Sequence, residues 1–381
     1  MSRTASASSE SRSRIVREGL IDNFLRRSGE FLVQGIGPIL LALVVAGLVL
    51  LVLGRNPIAF YSDIVSRGLV NRSGLQDTII RMAPLLLMAA GLIVAFRANI
   101  WNIGGDGQFL LPAAIVAGFA PGFMAVLPVW LALALLSLIA FAVGAAWTIP
   151  PAVLKARYGL NEIITSLMMA FVGINLGNLL IKGPFRSTAT LVPQTDVIPF
   201  EKLLPDIPGT RIHIGILVAV LAVAVVHDTM TKTSVGLKLR LLGANPKAAV
   251  HSGLNVSRLT VGAFMVSGGF MGLAAAVEIL GVWGYMRSDW NPNFGLPLFA
   301  LVFLARLNAL AVVPLVGFYA VISIGGHYAA RQAGLPDDFM LMIVGLILIF
   351  MTLTEFLASL RRRQRGKSIR RRGQSTEGEE S

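Results

Sequence analysis

The sequence predicts an all-α integral membrane protein, and two observations, its composition and its apolar runs, carry that prediction. Of its 381 residues, 55% are hydrophobic and only 14% are charged, with a mean hydropathy of +0.73. Apolar runs of about 18 to 23 residues recur along nearly the whole chain, and each is long enough to cross a bilayer as a helix. The sequence contains no Cys, which excludes a disulfide framework, a thiolate metal site and a cysteine nucleophile.

The apolar runs predict about ten transmembrane helices. Their expected ranges are 36–54, 79–96, 107–121, 128–150, 160–181, 213–229, 258–280, 294–305, 309–328 and 338–358. The range 294–305 is the short one, since 12 helical residues rise only about 18 Å against a hydrocarbon core of about 30 Å. It either crosses as a short helix or re-enters the membrane.

Charge distribution favours ten crossings with both termini in the cytoplasm. This topology places about two-thirds of the 33 Lys and Arg residues inside. We therefore expect a multi-pass protein of the cell membrane. Its predicted parts are a basic cytoplasmic tail (1–34), a transmembrane domain (35–360) with a cytoplasmic loop at 230–257, and a disordered cytoplasmic tail (361–381).

Several functional classes lack support in the sequence. The net charge of +13 comes from the chain ends and a few loops, which argues against nucleic-acid binding. The four His residues are scattered, so neither a catalytic nor a metal site is predicted. The stretch RGKS (365–368) resembles the end of a phosphate-binding loop, but position 361, where that loop requires Gly, is Arg. This chain is therefore not expected to hydrolyse ATP.

Polar residues within the apolar runs are candidates for a solute path, because ionisable groups at membrane depth usually face a cavity or a partner helix. Glu278 and Arg81 belong to this class, although both lie near the predicted ends of their spans. Asn175 and Asn178 share one helix face with Met168 and Phe171. Those amides either line a path or form hydrogen bonds to a neighbouring helix.

The polar stretch LLGANPKAAVHSGLN (241–255) predicts a short cytoplasmic helix from about Pro246 to Ser252. Asn245 is a favourable N-cap, Pro246 suits the first helical position, and Gly253 suits the position after the helix. A two-turn helix is marginal alone in water, so a partner is expected to hold it.

Three motifs in order carry a family resemblance. RANIWNIGGDGQ (97–108), LNEIITSLMM (160–169) and GLKLRLLGANPKAAVHSGLN (236–255) resemble the permease subunits of binding-protein-dependent ABC importers, nearest to the nucleoside and simple-sugar branch. The resemblance covers about 36 to 360 and leaves out both tails.

This resemblance implies that the short helix is a coupling helix docked into a groove of an ATPase subunit. The residues implied in ATPase coupling are Gly243, Asn245, Pro246, Lys247, Ala248, Ala249 and Gly253. The chain itself would need no cofactor, because ATP and Mg²⁺ would bind the partner ATPase. The other implied partners are a second permease, related or identical, an extracytoplasmic solute-binding lipoprotein and membrane lipid.

The glycine-rich motif NIGGDGQ has two interpretations. Asn102, Gly104, Asp106 and Gln108 form either a tight turn between spans or a broken helix with polar atoms at membrane depth. In related permeases Glu commonly stands where this chain has Asp106, so a role for the carboxylate is expected.

The resemblance favours a nucleoside or a sugar-like solute. Phe171, Trp283, Asn175 and Asn178, together with Met168 and Glu278, are the candidate residues of the translocation path. The alternative of a different class is an ion-coupled secondary transporter of a small polar solute, which predicts acidic residues at mid-membrane depth and an inverted repeat.

Overall fold

The structure, a computed structural model, describes residues 37–336, 339–343, 345–347, 349, 350, 353, 354 and 357. The chain forms two compact units, one of Met1–Phe60 with Ala333–Ser381 and the other of Tyr61–Gln332. Both predicted tails, 1–34 and 361–381, lie outside the described residues. The predicted span 338–358 is only partly described.

The described residues are mostly helical, with two isolated β-bridges and no strand among them. The first unit contains helix α1 and the beginning of α2. In chain order the α-helices are α1 (Gly37–Val52), α2 (Pro57–Val65), α3 (Arg72–Arg97), α4 (Gly105–Val126), α5 (Val129–Trp147), α6 (Ile149–Tyr158), α7 (Glu162–Lys182), α8 (Gly215–Lys232), α9 (Ser234–Ala244), α10 (Pro246–His251), α11 (Val256–Glu278), α12 (Gly295–Leu304) and α13 (Ala309–Gln332).

Within the part of the chain that the structure describes, seven helices are long and apolar enough to cross a membrane, counting α5 and α6 as one. Helices α1 and α12 are apolar but shorter, with 16 and 10 residues. Helix α12 spans about 15 Å, half of a hydrocarbon core, and follows a non-helical segment at 284–294.

Helices α3 and α11 form the centre of the second unit, and both are mostly buried. Helix α11 packs against α3, α4, α5 and α6. Its glycines allow the closest approach: a Cβ at Gly272 would meet the backbone oxygen of Ala140, and one at Gly268 would meet that of Gly144. The small-residue pattern thus does bring helices together here. At Gly122, by contrast, a Cβ would meet nothing within 4 Å.

The segment 230–257, predicted as a loop with one short helix, contains a second helix that the sequence analysis did not predict. Helix α8 continues to Lys232, and α9 fills most of the interval before α10. Gly236, Leu239 and Leu242 form the buried stripe of α9 at helical spacing. Because Leu237 and Leu241 are apolar yet exposed, the sequence alone did not reveal this helical period.

Candidate functional site

Helix α10 begins and ends where its sequence predicts. The Asn245 side-chain oxygen accepts hydrogen bonds from the backbone N–H groups of Lys247 (3.0 Å) and Ala248 (3.2 Å), which caps the helix. Pro246 occupies the first helical position, and Gly253 has a φ of 76°, which favours glycine. The helix ends at His251, within one residue of the prediction.

One face of α10 is anchored and the other is free. Ala249 is only 2% exposed, whereas Lys247, Ala248 and Val250 are exposed. Just before the helix, Gly243 packs so closely on the end of α3 that a Cβ there would meet the backbone oxygen of Arg97. The helix is therefore fixed at its base and presents a small surface outward.

The end of α3 also holds the end of α12. Arg97 Nε donates a hydrogen bond to the backbone oxygen of Leu307 at 3.1 Å. Phe96 stacks on Phe303 with ring centroids 4.9 Å apart. The base of α10 and the C-terminal end of α12 are thus both attached to the last turn of α3.

The glycine-rich motif forms a hydrogen-bonded re-entrant turn. Asn102 and Gln108 are buried and exchange two side-chain hydrogen bonds, of 2.8 and 2.7 Å. Asn102 also donates to Ser267 Oγ at 3.1 Å. Because Ser267 lies halfway along α11, the turn reaches the middle of the bundle. Irregular backbone is tolerated at that depth because Ser166 Oγ accepts a hydrogen bond from Ile103 N–H and Asn102 Oδ1 accepts one from Gly104 N–H.

Asp106 and Gly104 have separate roles in this motif. Asp106 Oδ1 accepts a hydrogen bond from the backbone N–H of Gly295 at 3.0 Å, at the first residue of α12. A carboxylate is favourable at a helix N-terminus. A Cβ at Gly104 would lie 2.8 Å from the backbone oxygen of Ser166 on α7, so glycine permits that close approach.

Helix α7 leaves most of its surface uncovered by the rest of the chain. Its buried stripe is narrow, and Met168, Phe171 and Asn175 lie on the exposed side. Asn175 Nδ2 donates to the backbone oxygen of Phe171 at 2.8 Å, within the same helix. Asn178 instead accepts a hydrogen bond from the backbone N–H of Asp289 at 2.8 Å. The two amides therefore share a face but have different neighbours.

Glu278 lies in an electrostatic and aromatic cluster. Its side chain is 2% exposed, and its Oε1 lies 3.8 Å from a guanidinium nitrogen of Arg81. The same oxygen accepts a hydrogen bond from Trp283 Nε1 at 3.1 Å. The five residues Ile279–Trp283 form a π-helical turn, and this wider turn allows Trp283 to reach Glu278.

Three of the predicted path residues, Asn178, Glu278 and Trp283, lie near one another. Trp283 contacts Trp290, with ring centroids 5.5 Å apart, and the adjacent residue Asp289 bonds Asn178. Met168, Phe171 and Asn175 lie farther along the open face of α7. The predicted coupling residues lie at the other end of α11, which is about 34 Å long.

Sequence reasoning placed Arg81 near the outer end of its span, and the structure differs. Helix α3 begins at Arg72, so Arg81 lies well inside the helix. Its guanidinium carbon lies 5.2 Å from the ring centroid of Phe294, a partner that no sequence motif indicated. No group of three or more metal-ligating side chains occurs within the described ranges.

A buried histidine lies outside the membrane-spanning helices. His213 Nδ1 accepts a hydrogen bond from the Gly215 backbone N–H at 3.1 Å, and Nε2 has no partner among the described residues. Burial lowers the pKa of His213 below 6.5, while the charge of Asp206 acts in the opposite direction.

Residues 74–352 match the profile of a protein family described as "Branched-chain amino acid transport system / permease component". This range covers more than half of the sequence. The chain belongs to this permease family. It is therefore a multi-pass membrane protein and a transport subunit rather than an enzyme, and the family implies an ATPase and a solute-binding protein as partners.

Relatives of this permease are similar over most of their length. A glucose ABC transporter permease protein of Haloferax volcanii is 32% identical over 336 residues, 85% of this chain and 87% of the relative. A guanosine ABC transporter permease protein of Bacillus subtilis is 27% identical, covering 82% of this chain and 90% of the relative. A nucleoside ABC transporter permease protein of Lactococcus lactis is 24% identical, with 82% and 88% covered. These relationships support an ABC importer permease over an ion-coupled transporter.

Proposed function

We propose that this permease forms the translocation path for a nucleoside or a related sugar-like solute. The solutes named for the three relatives above are glucose, guanosine and nucleosides, which are neutral molecules with sugar rings or flat bases. The residues proposed for the path are Met168, Phe171, Asn175, Asn178, Glu278 and Trp283.

The exposed amide of Asn175 is the observation that carries the path assignment. Asn175 lies within a helix of 21 residues, about 31 Å long, that is long enough to span the membrane. Its only described side-chain hydrogen bond stays within α7. A polar amide exposed at that depth is unfavourable against lipid, so this face should meet a second permease or a water-filled path.

We further propose that α10 is the coupling helix. The exposed surface of α10 is small. Asn245 caps the helix, and Gly243, just before it, packs against the end of α3. ATP and Mg²⁺ would bind the partner ATPase. When the ATPase closes on ATP, it would move α10, and the contact of Gly243 with α3 would pass that movement to α3 and α12. The direction in which the ATPase shifts the permease depends on which of the permease's two conformations it contacts more favourably.

The proposed topology has ten crossings with both termini in the cytoplasm. The short crossing predicted at 294–305 would be formed by the half-length helix α12, which follows the non-helical segment 284–294. The chain covers that segment only in part, and Asn178 and Asp106 accept hydrogen bonds from the backbone N–H groups of Asp289 and Gly295. The complex would contain a second permease, identical or related, and an extracytoplasmic lipoprotein that delivers the solute.

The decisive test is uptake by the complete complex in liposomes containing ATP. We expect ATP-dependent accumulation of labelled nucleosides or sugars, with no effect of a sodium or proton gradient. Uptake of branched-chain amino acids alone would contradict the proposed solute class. Uptake that follows an ion gradient without the ATPase would contradict the proposed mechanism.

The coupling role is tested by Ala248→Glu, an exposed position on α10. Ala249 is less informative, because a charge at this buried position also disturbs folding. Ser234→Glu is the matched control, since it adds the same charge to the exposed first turn of α9. We expect Ala248→Glu to abolish ATP-driven uptake while the control transports normally. Normal uptake by both variants would exclude docking through α10.

A further inference from the structure

The contact between Arg81 and Glu278 leaves the guanidinium short of hydrogen-bond partners. At 3.8 Å the two groups attract each other electrostatically but are too far apart for a hydrogen bond. A guanidinium carries five N–H donors. Among the described residues, none of the hydrogen bonds comes from the Arg81 side chain, although that side chain is only 23% exposed.

Unbonded guanidinium donors at membrane depth cost free energy unless another molecule accepts their hydrogen bonds. Arg81 lies about 13 Å from the beginning of α3, within a helix that is long enough to span the membrane. Arginine at membrane depth usually faces a cavity or a partner, because unsatisfied donors in low dielectric are unfavourable. Because the Arg81 side chain is 23% exposed and its guanidinium donates no hydrogen bond among the described residues, its N–H donors are available to a ligand.

Aromatic side chains surround this pair. Phe294 lies against the guanidinium with a distance of 5.2 Å to its centroid, and Trp283 donates its indole N–H to Glu278. Trp283 is 39% exposed, so part of its ring remains uncovered. Trp290 packs on Trp283 with the rings inclined by 66°, which supports the indole from one side.

We propose that Arg81, Glu278 and Trp283 form a solute subsite that recognises the base of a nucleoside. The uncovered ring of Trp283 would stack on the flat base, Arg81 would donate to an acceptor on its edge, and Glu278 would accept from a neighbouring N–H. The positive and negative groups lie close together, so the subsite favours a neutral ligand. This inference rests on the proposed function and narrows the solute class from sugars to nucleosides.

The chemistry distinguishes a base from a simple sugar through stacking. Stacking of a base on an aromatic side chain contributes about 1–3 kcal/mol in nucleic-acid complexes, roughly a 5- to 150-fold change in affinity. Sugar hydroxyls also form hydrogen bonds with groups such as Arg81 and Glu278, but binding of a sugar does not need the exposed indole of Trp283. The dependence on Trp283 is therefore the specific signature of this subsite.

The experiment measures the concentration dependence of labelled nucleoside uptake by the complete complex in liposomes. We expect Trp283→Leu to raise the KM for nucleoside uptake about 10-fold. Trp283→Phe should restore most of the affinity because a flat ring remains. The matched control is Trp130→Leu, which removes an exposed indole at the beginning of α5. An unchanged KM in Trp283→Leu would overturn the inference.

A charge exchange separates recognition from structural support. If the pair only stabilises the helices, Arg81→Glu combined with Glu278→Arg should restore both assembly and the KM. We expect this double variant to assemble with its partners yet keep the raised KM, because the donor and acceptor no longer face the correct aromatic groups. Restoration of a wild-type KM by the exchange would overturn the subsite.

The two proposals fail in different ways. If the wild-type complex imports sugars but no nucleoside, the subsite is wrong while the broader proposed function stands. If it imports neither class, the proposed function itself is wrong. If it imports nucleosides and the Trp283 and Arg81 variants keep the wild-type KM, only the subsite is excluded.

Discussion

Asp106 caps a helix that lies 189 residues away in sequence: its Oδ1 accepts the hydrogen bond from Gly295 N–H at 3.0 Å. Phe294, the residue before α12, makes no side-chain cap of its own. The carboxylate from α4 therefore replaces the local N-cap that short helices usually have. This contact joins the glycine-rich motif to the half-length helix.

Removing the carboxylate should loosen the beginning of α12. We expect Asp106→Ala to lower the free energy of unfolding by about 1–2 kcal/mol, the usual effect of losing a cap. Asp106→Asn retains an oxygen acceptor and should lose less. Thermal unfolding of the complex in nanodiscs measures the difference, with Asp196→Ala as the control at an exposed acidic residue. Equal stabilities for Asp106→Ala and the control would exclude the cap.

Losing the cap of α10 should reduce coupling more than it reduces stability. Asn245→Ala removes two hydrogen bonds at a helix on the surface, so the helix frays while the bundle remains folded. We expect fewer solute molecules transported per ATP hydrolysed, measured by parallel uptake and phosphate release. Asn161→Ala is the matched control, because Asn161 caps α7 through Ile163 N–H at 2.9 Å. A similar fall in both variants would show that capping anywhere affects the ratio.

Two glycines of α11 should respond oppositely to the same substitution. Gly272→Ala places a methyl group against the backbone oxygen of Ala140, and we expect it to destabilise the protein by about 1–3 kcal/mol. At Gly262 a Cβ meets nothing within 4 Å. Gly262→Ala should therefore be neutral or stabilise by up to about 1 kcal/mol, since alanine favours helix. Unfolding in matched nanodiscs compares them, and a stable Gly272→Ala variant would contradict the close packing of α5 on α11.

Acidification should destabilise the protein through His213. Because burial lowers its pKa in the folded state, the unfolded chain binds the proton more readily. Stability is therefore retained above the unfolded pKa of about 6.5 and falls as the pH drops below it. The slope from this group is at most about 1.4 kcal/mol per pH unit.

Unfolding measured between about pH 7.5 and 5 tests the role of His213. The decline with pH should be smaller in His213→Leu, which cannot take up the proton. His251→Leu changes an exposed histidine and should keep the wild-type slope. Identical slopes in all three proteins would assign the acid sensitivity to other groups.

Local patterns predicted the helices well because helix formation depends on neighbouring residues. The apolar runs identified α3, α4, α5, α7, α8, α11 and α13 but not α6, and the order Asn, Pro and Gly predicted α10 to within one residue. Helix α9, inside the predicted loop at 230–257, was not predicted because its narrow buried stripe lies among exposed leucines. Which leucines pack inward depends on the neighbouring helices rather than on the local pattern.

The site was only partly predictable for the same reason. Asn175 and Asn178 were placed on one face because their spacing determines it, yet their partners differ: Phe171 in the same helix and Asp289 in a distant segment. The pairing of Arg81 with Glu278 and Phe294 joins three separated parts of the chain. No spacing rule connects such positions.

The amino-acid sequence by itself determined that this protein is a helical membrane protein with a short capped helix at 246–251, because hydropathy, helix period and capping are properties of contiguous residues. Only the tertiary structure decided that Asp106 caps α12, that Arg81 meets Glu278 among aromatic rings, and that the half-length helix is tied to the end of α3. Those contacts form only when helices from distant parts of the chain pack against one another, most closely where glycines allow it. They depend on the whole arrangement of the packed helices, which no single segment specifies.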